Sequence, residues 1–600
     1  MKPKKHKRLS QKERVLIQTL LKENQNKYFT TKKLWLADQT KTKSMLSRPT
    51  CHIRESNVNL VMKIPFIFLV LLFFASLGVC AQEDFFKGIV LDAKSRTPVA
   101  FATIRIQGKA VGVISNEDGS FRIPTWFKAS GDNIEISSMG YEKQQTALST
   151  FKLGQTNVVL LAPALFELEE AVVTAKLKTL SAEEIVQYAI NNLYNNYPDE
   201  TYAYLGYYRD YQRKNDTYIN LNEAIISVLD HGFKSIDTVM TNFLIHEYKE
   251  NKQFKIDSLA RQPYDYTDFT KIVPGALLQS RGGNELMLLR VHDPIRNNRI
   301  KTFSYVYNLR EDFIKNHTFT LSGTTYYDNK KVYKIKFRAD FEPYLANGII
   351  YIAKEDFAIR KFFYEVNEVY EIETVLGKKT SYTSTRTKNI VEDKGVLFRI
   401  LIEYKELGDK LFLNYISFKN KFRVARPPLF SITSLEVDSK NKNLRFTLNK
   451  PLSEVKNLKL RNIEVRYDGQ EVPLKGLTLV GPDSFTVTPN SKQKKDIPQQ
   501  KKLFSTFIDP NKQKLKVVVK KIKDKEGNLL QEPRLEELYQ FREFFVQSPM
   551  EPNNFKGHNT YFMQKELPLF SASQPVLQLP ESKTYWMNTP LQSIDVAPNF

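Results

Sequence analysis

Between residues 85 and 161 apolar and polar residues alternate in short runs separated by turn formers. This period-two pattern, resumed over most of the later chain, restricts the fold more than any other feature. Phe85–Val90 reads as a strand and Asp92–Pro98 as a loop. From Val99 to Ile106, Ala102, Ile104 and Ile106 share one face, and Thr103 and Arg105 the other. Asn116-Glu117-Asp118-Gly119 is a tight turn into Ser120–Pro124, and Ile134–Ser137 and Val158–Leu161 complete the set. Strands at a spacing of roughly 8–12 residues predict a small β-sandwich. The 40 Phe and 30 Tyr also suit a pleated, half-buried surface. At 42% apolar and 26% charged, the chain can build several cores and is not wholly disordered. With only 23 Gly and 27 Pro it is not collagen-like. Its 600 residues predict three or four domains.

Met62-Lys63 opens a second signal. The apolar run Ile64–Val79 follows and ends in Val79-Cys80-Ala81 before Gln82. A basic start, an apolar stretch and a small-x-small exit are the parts of a secretory signal peptide, with cleavage between Ala81 and Gln82. Lipidation at Cys80 is disfavoured by bulky Val79 before it. Residues 1–61 carry fifteen Lys/Arg against four Asp/Glu, about half of the net charge of +23. They read as a basic extension outside the mature protein, with Met62 as the start. The alternative is a single-pass anchor at 64–81 with a basic cytoplasmic tail. Both cysteines, Cys51 and Cys80, precede the cleavage point, so the mature chain needs no disulfide. The remaining basic excess is spread thinly, which argues against a nucleic-acid partner.

Ser181 and Glu184 form a capping-box pattern for a helix over 182–195, stopped by Tyr197-Pro198. From Thr201 to about Val424 strand patterns dominate. They include a hairpin about Asp328-Asn329, strands at 348–352 and 358–366, and strands at 396–404 and 411–418, which predict one large curved antiparallel sheet. Arg426-Pro427-Pro428 marks a boundary. Residues 430–530 then read as another sandwich, Leu535–Phe545 as a helix, and 548–600 as an irregular tail.

Gly88-x-Val90-x-Asp92, Pro98-x-Ala100-x-Ala102-x-Ile104, Gly112, Asn116-x-Asp118-Gly119-x-Phe121-x-Ile123 and Ser137-Ser138-x-Gly140-Tyr141 follow in order. This set resembles the carboxypeptidase regulatory-like domain, a transthyretin-like sandwich at the N-terminus of many Bacteroidetes envelope proteins. Leu168–Ala175 resembles the segment that follows it in TonB-dependent receptors. The resemblance implies a fold and a compartment rather than a chemistry. The rhythm of 348–359 is similar to periplasmic lipoprotein-carrier half-barrels, and 443–451 with 522–528 resembles bacterial Ig-like domains.

Zinc peptidase chemistry needs two histidines and a carboxylate on one metal. His52-Ile53-Arg54-Glu55 precedes the export signal, and His231, His246, His292, His317 and His558 form no such motif. No Gly-x-Ser-x-Gly elbow, cysteine nucleophile or phosphate-cradling glycine loop occurs in the mature chain. Glu365 with Glu368, and Glu371 with Glu373, read as solvated faces rather than paired catalytic carboxylates. Asn116 with Asp118, and Asp524-Glu526-Asn528, have the oxygens of a calcium loop, but ordinary turn chemistry accounts for them. No metal or cofactor is expected. Tyr202, Tyr204, Tyr207, Tyr208 and Tyr211 are candidate ligand-contact aromatics, set against plain packing. Tyr364, Tyr370 and Tyr382 are read in the same way, and His292–Asn297 as a turn fixed by Pro294.

The expected fold class is mainly β and multidomain. A basic extension (1–61) and signal peptide (62–81) precede a regulatory-like sandwich (83–165). A central antiparallel domain with an N-terminal helix (176–425), an Ig-like sandwich (428–532) and a helix with irregular tail (533–600) follow. The expected function is a non-enzymatic exported envelope protein, in the periplasm or at the outer-membrane surface, with membrane association as an option. It would bind or assemble with an envelope protein, polysaccharide or lipid. A periplasmic lipid carrier with a sheet groove, and a hydrolase with fold-assembled carboxylates, are the alternatives. A deep apolar concavity would favour the carrier, exposed tyrosines polymer binding, and converging carboxylates the enzyme.

Overall fold

Alternation does produce the first module. In the computed structural model, Phe85–Asp92 pairs with Ser120–Pro124 and Thr156–Leu161, and a second sheet runs from Gly112–Ile114 through Thr103–Ile106 and Asn133–Ser137 to Gln144–Ala147. Ile104, Val113, Phe121, Ile123, Ile134 and Ile136 close the core between them. The structure describes residues 85–109, 111–164, 180–215, 217–278, 284–300, 309–327, 330–341, 344–368, 395–453, 458–490, 515–579 and 585–591. The export stretch, the Ala81–Gln82 cleavage point, Leu168–Ala175, Tyr370, Tyr382, Glu371 and Glu373 lie outside them. Glu83–Phe600 is one compact unit. The fold is mainly β, with several antiparallel sheets.

The central sheet has ten strands in one path. In spatial order they are Asn242–Glu250, Thr217–Asp230, Tyr202–Lys214, Arg534–Met550, Lys410–Arg426, Val396–Leu407, Ile359–Glu368, Tyr344–Ala353, Lys330–Phe341 and Thr318–Tyr327. Every neighbour pair is antiparallel. Short Lys271–Ile272 pairs off this path with Lys410–Arg426.

Leu535–Phe545, expected to be a helix, is instead the middle of the Arg534–Met550 strand. It joins the two halves of the sheet, pairing with Tyr202–Lys214 on one side and Lys410–Arg426 on the other. The residues from 534 to 550, expected in a separate helix and tail, therefore belong to the central sheet. Leu535, Leu538, Phe541 and Phe545 have helical spacing, but from Leu538 to Phe545 both faces of this strand are buried or half-buried and period two is lost. Leu538 and Phe544 join the core on the helix side, and Phe541 and Phe545 lie in clusters away from it.

The second sandwich is consequently an insertion. Arg426 pairs with Arg534, and all residues between belong to the excursion. It has a sheet from Ile432–Asp438 to Leu474–Gly481, a second from Gln470–Glu471 to Leu515–Val519, and its own core of Phe430, Leu444, Phe446, Val465, Phe485 and Val487. Replacing 427–533 by a two-residue Asn-Gly turn should leave the remainder folded, because the antiparallel register at Arg426 and Arg534 is already a hairpin's. Calorimetry of the shortened chain should lose one transition and keep the main one within a few degrees.

Ser181 caps the Ala182–Asn191 helix as expected, taking the Glu184 amide while Glu184 takes the Ser181 amide at 2.8 Å. A second short helix, Leu193–Asn196, completes the predicted span. Ile185, Val186, Ala189 and Ile190 press into the largest core, joined by Leu286, Met287 and Leu289 of the Glu285–Val291 helix. These side chains cover one face of the sheet. At Gly348 a Cβ would lie 2.0 Å from Phe337 Cζ, so the ring lies over bare backbone on the adjacent strand. Gly348→Val should expel that buried ring and cost about 1–3 kcal/mol, read in a urea melt.

Candidate functional site

Two buried polar constellations stand out, one on each face of the sheet. The first lies beneath the helix-covered face. The apolar run of Thr217–Asp230 ends in Asp230, which receives Arg290 Nη2 at 2.8 Å and Arg296 Nη2 at 2.9 Å. Asp237 Oδ1 takes Arg290 Nη2 at 2.6 Å, and Tyr204 Oη takes Arg290 Nη1 at 2.6 Å. Asp293 caps its own turn by accepting the Ile295 and Arg296 amides, and accepts Tyr404 Oη at 2.6 Å. The motif around Pro294 is thus the hinge that aims Arg296 at Asp230.

Burial opposes ionisation of Asp237, but the Arg290 and Arg296 guanidinium groups outweigh it and hold the carboxyl below its ordinary range. At Asp293 burial outweighs the Tyr404 and backbone hydrogen bonds and the weaker pull of Arg290, and pushes the carboxyl up. Three carboxylates thus converge, as a carboxylate hydrolase would require. The crevice they line with Tyr202 has free space of about 10 Å³, room for one water molecule and no sugar ring. Two of the three acids are already neutralised by arginine. The arrangement locks the 292–298 turn to the sheet.

The second constellation joins three parts of the chain. Arg209, 2% exposed, points to the opposite face and is ion-paired with Glu543. Its Nη1 also reaches Asn116 Oδ1 and, at 3.1 Å, the Asn588 carbonyl. Tyr211 Oη donates to Glu543 at 2.9 Å. Arg213 binds Glu117 at 2.7 Å. Asn588 donates to the Ile114 carbonyl at 2.7 Å and accepts the Arg122 amide at 2.8 Å, while Trp586 donates to the Arg122 carbonyl at 2.8 Å. The Asn116–Gly119 turn is therefore a docking point for the sheet and the C-terminal segment. Asp118 spends its Oδ1 on the Ser120 amide and hydroxyl. At the other oxygen-rich turn, Asp524 takes the amides of Glu526 and Asn528, and Lys450 pairs with Glu526. No group of three or more potential metal ligands occurs among the described residues.

The five tyrosines are placed by the Tyr202–Lys214 strand in alternation. Tyr204 and Tyr208 enter the helix-side core, and Tyr207 and Tyr211 enter clusters on the other face. Those four are buried to 4% exposure or less, and Tyr202 lines the crevice. They form no exposed stacking platform. Tyr364 is buried as well. Glu365 is paired with Arg399 and Glu368 with Lys421, so these acids serve separate ion pairs.

Sequence patterns missed Asp230, Asp237 and Arg290 and singled out the turn holding Arg296 without giving it a role; the signal available was a charge ending an apolar strand. They also missed Ser227, whose Oγ lies 2.6 Å from His246 Nε2, with His246 Nδ1 2.7 Å from the Leu577 carbonyl. That is the layout of a nucleophile and its base. Ser227 has no exposed surface and His246 only 4%, so the pair pins the C-terminal segment to the sheet instead.

Asp210, on the helix side, accepts Asn222 Nδ2 at 2.9 Å and Tyr208 Oη at 3.2 Å. Burial pushes its carboxyl from 3.8 up to about 7. Between those pH values the folded chain holds a proton that the unfolded chain has released. Stability from this group therefore falls as pH rises through that window, by at most about 1.4 kcal/mol per pH unit, and is level above it. Asp210→Asn should remove the slope: urea melts should show it equal to the parent near the lower limit and more stable above the upper one.

Residues 86–173 match the CarboxypepD_reg-like domain family. The N-terminal module is thus a carboxypeptidase regulatory-like domain, a class without catalytic machinery. A search of curated proteins gave no match for the chain. Among solved structures, the chain is similar to a domain described as an outer membrane lipoprotein-sorting protein from Vibrio parahaemolyticus, at 10% identity and a TM-score of 0.19, covering 40% of this chain and 86% of that one. It is also similar to a LolA superfamily protein from Nitrosomonas europaea, at 9% identity and a TM-score of 0.15, covering 40% and 86%. Likeness at that level assigns neither fold nor ligand. No helix among the described residues is long and apolar enough to cross a membrane.

Proposed function

We propose that this chain is a non-enzymatic, exported envelope protein that acts in binding or assembly, of the kind found in Bacteroidetes-type envelopes. The observation that carries this reading is the closure of its polar clusters. The three-carboxylate crevice has room for a single water, and the Ser227–His246 pair is sealed beneath the C-terminal segment. A carrier needs an open apolar groove, whereas the described residues fill the helix-covered face with Ile185, Ile190, Leu286, Met287 and Leu289. What remains for contact is surface, above all the sandwich held out between Arg426 and Arg534. The export signal from Met62 to Ala81 supports delivery beyond the cytoplasm.

Fractionation with N-terminal sequencing tests the compartment: the envelope or periplasmic fraction should hold a product starting at Gln82. Photo-crosslinkers in place of exposed Arg466 and Lys475 on the inserted sandwich should yield one discrete adduct in cells. A cytosolic, unprocessed product would overturn the reading, as would turnover of an envelope polymer by the purified protein.

A further inference from the structure

At one end of the central sheet, Tyr194 is surrounded by cations. Lys234 Nζ lies 5.8 Å from its ring centroid, the Arg299 guanidinium 5.6 Å and that of Arg310 5.1 Å. Arg310 also donates to the Tyr194 hydroxyl at 3.0 Å. Asp199 pairs with Lys234. Lys410, at the tip of the neighbouring hairpin, donates to the Asn195 carbonyl at 2.6 Å. Asp199 offsets one charge of this group, and the four named cations against one carboxylate give the cluster a net positive sign that draws anions.

Immediately after Lys234 the chain makes one turn that exposes aliphatic side chains: Ile236 is 61% exposed, Val239 67% and Met240 47%. Leu407 on the Lys410 hairpin adds another at 57%. The turn is held rigid from behind, where Lys565 donates to the Thr238 and Val239 carbonyls at 3.0 Å each. A folded partner would have to offer a matching pocket for this bump. A bilayer needs none, since acyl chains part around aliphatic side chains, headgroup phosphates meet cations, and tyrosine settles at the boundary.

We infer that this end of the sheet docks on an anionic membrane surface, with the 236–240 turn entering the acyl boundary and the cations around Tyr194 meeting lipid phosphates. The inference rests on the binding reading above and names its partner. The test uses Glu83–Phe600, one compact unit whose cores, among the described residues, are built from its own side chains, because the apolar run at 64–79 would bind lipid by itself. Sedimentation with vesicles should show binding when phosphatidylglycerol is present and little with phosphatidylcholine alone, weakening as salt rises. Lys234→Glu with Arg299→Glu, and independently Ile236→Ser with Val239→Asp, should each weaken it at least about tenfold. Equal binding to both vesicle types, or parental affinity in both variants, would overturn the inference. So would full displacement by soluble glycerol phosphate, which would indicate a site for free phosphate. Because the assay uses purified protein, its failure leaves the in-cell adduct from the inserted sandwich untouched.

Discussion

Arg209→Met should destabilise the protein by about 3–5 kcal/mol, the usual cost of removing one partner from a buried ion pair. Methionine fills much of the same space but leaves Glu543 with the Tyr211 hydroxyl as its remaining donor here, and takes a donor from Asn116 and from the Asn588 carbonyl. Burial already raises the Glu543 carboxyl despite Arg209, so without the arginine it should rise further. A carboxyl raised above its unfolded value loses stability as pH climbs, so the variant's deficit should shrink in acid. Arg209→Met with Glu543→Gln should recover a large part of the loss, because no uncompensated charge is then buried. Urea melts give the energies. Hydrogen exchange should show residues 116–120 and 585–591 opening together, since Asn116 and Asn588 bind the same guanidinium. A loss under about 1 kcal/mol would mean that the junction does not couple the three parts.

Asp230→Ala should cost a similar amount, about 3–5 kcal/mol, for the mirror-image reason. It strips the carboxylate from Arg290 and Arg296, which are 6% and 4% exposed, and leaves Asp237 facing two guanidinium groups. This variant separates the structural reading from the catalytic one. A catalytic carboxylate can be lost with the fold intact, as active-site residues often are. A locking carboxylate cannot, and its removal should lower the melting temperature and expose the 292–298 turn to proteolysis. Asp230→Asn should be milder, since the amide oxygen still accepts one arginine hydrogen bond.

The residues themselves determined much of this protein. Alternation at 103–106 and 120–124 gave strands because side chains on a pleat point to opposite faces by geometry, while 99–102 turns instead. The Ser181–Glu184 capping box fixed a helix start because it satisfies amides that no tertiary contact has to reach. The ordered glycines, Asn116 and Asp118 carried the regulatory-like domain, since each serves a turn or a close approach such as that of Phe121 over Gly88, where a Cβ would lie 2.2 Å from the ring. These are local causes, and local causes are legible in a linear text.

Only the tertiary structure decided the rest. Residues 535–545 carry apolar groups at helical spacing, and their fate as the central strand depended on partners more than a hundred residues away at 415–425 and 207–213. Burial on both faces erased the alternation that would have announced a strand. The same holds for the charges: Asp230, Arg290 and Arg296 look like ordinary polar residues until folding removes water from around them. A buried charge can persist only where distant segments bring it a counter-charge, and which segments meet is settled by the packing of the whole sheet.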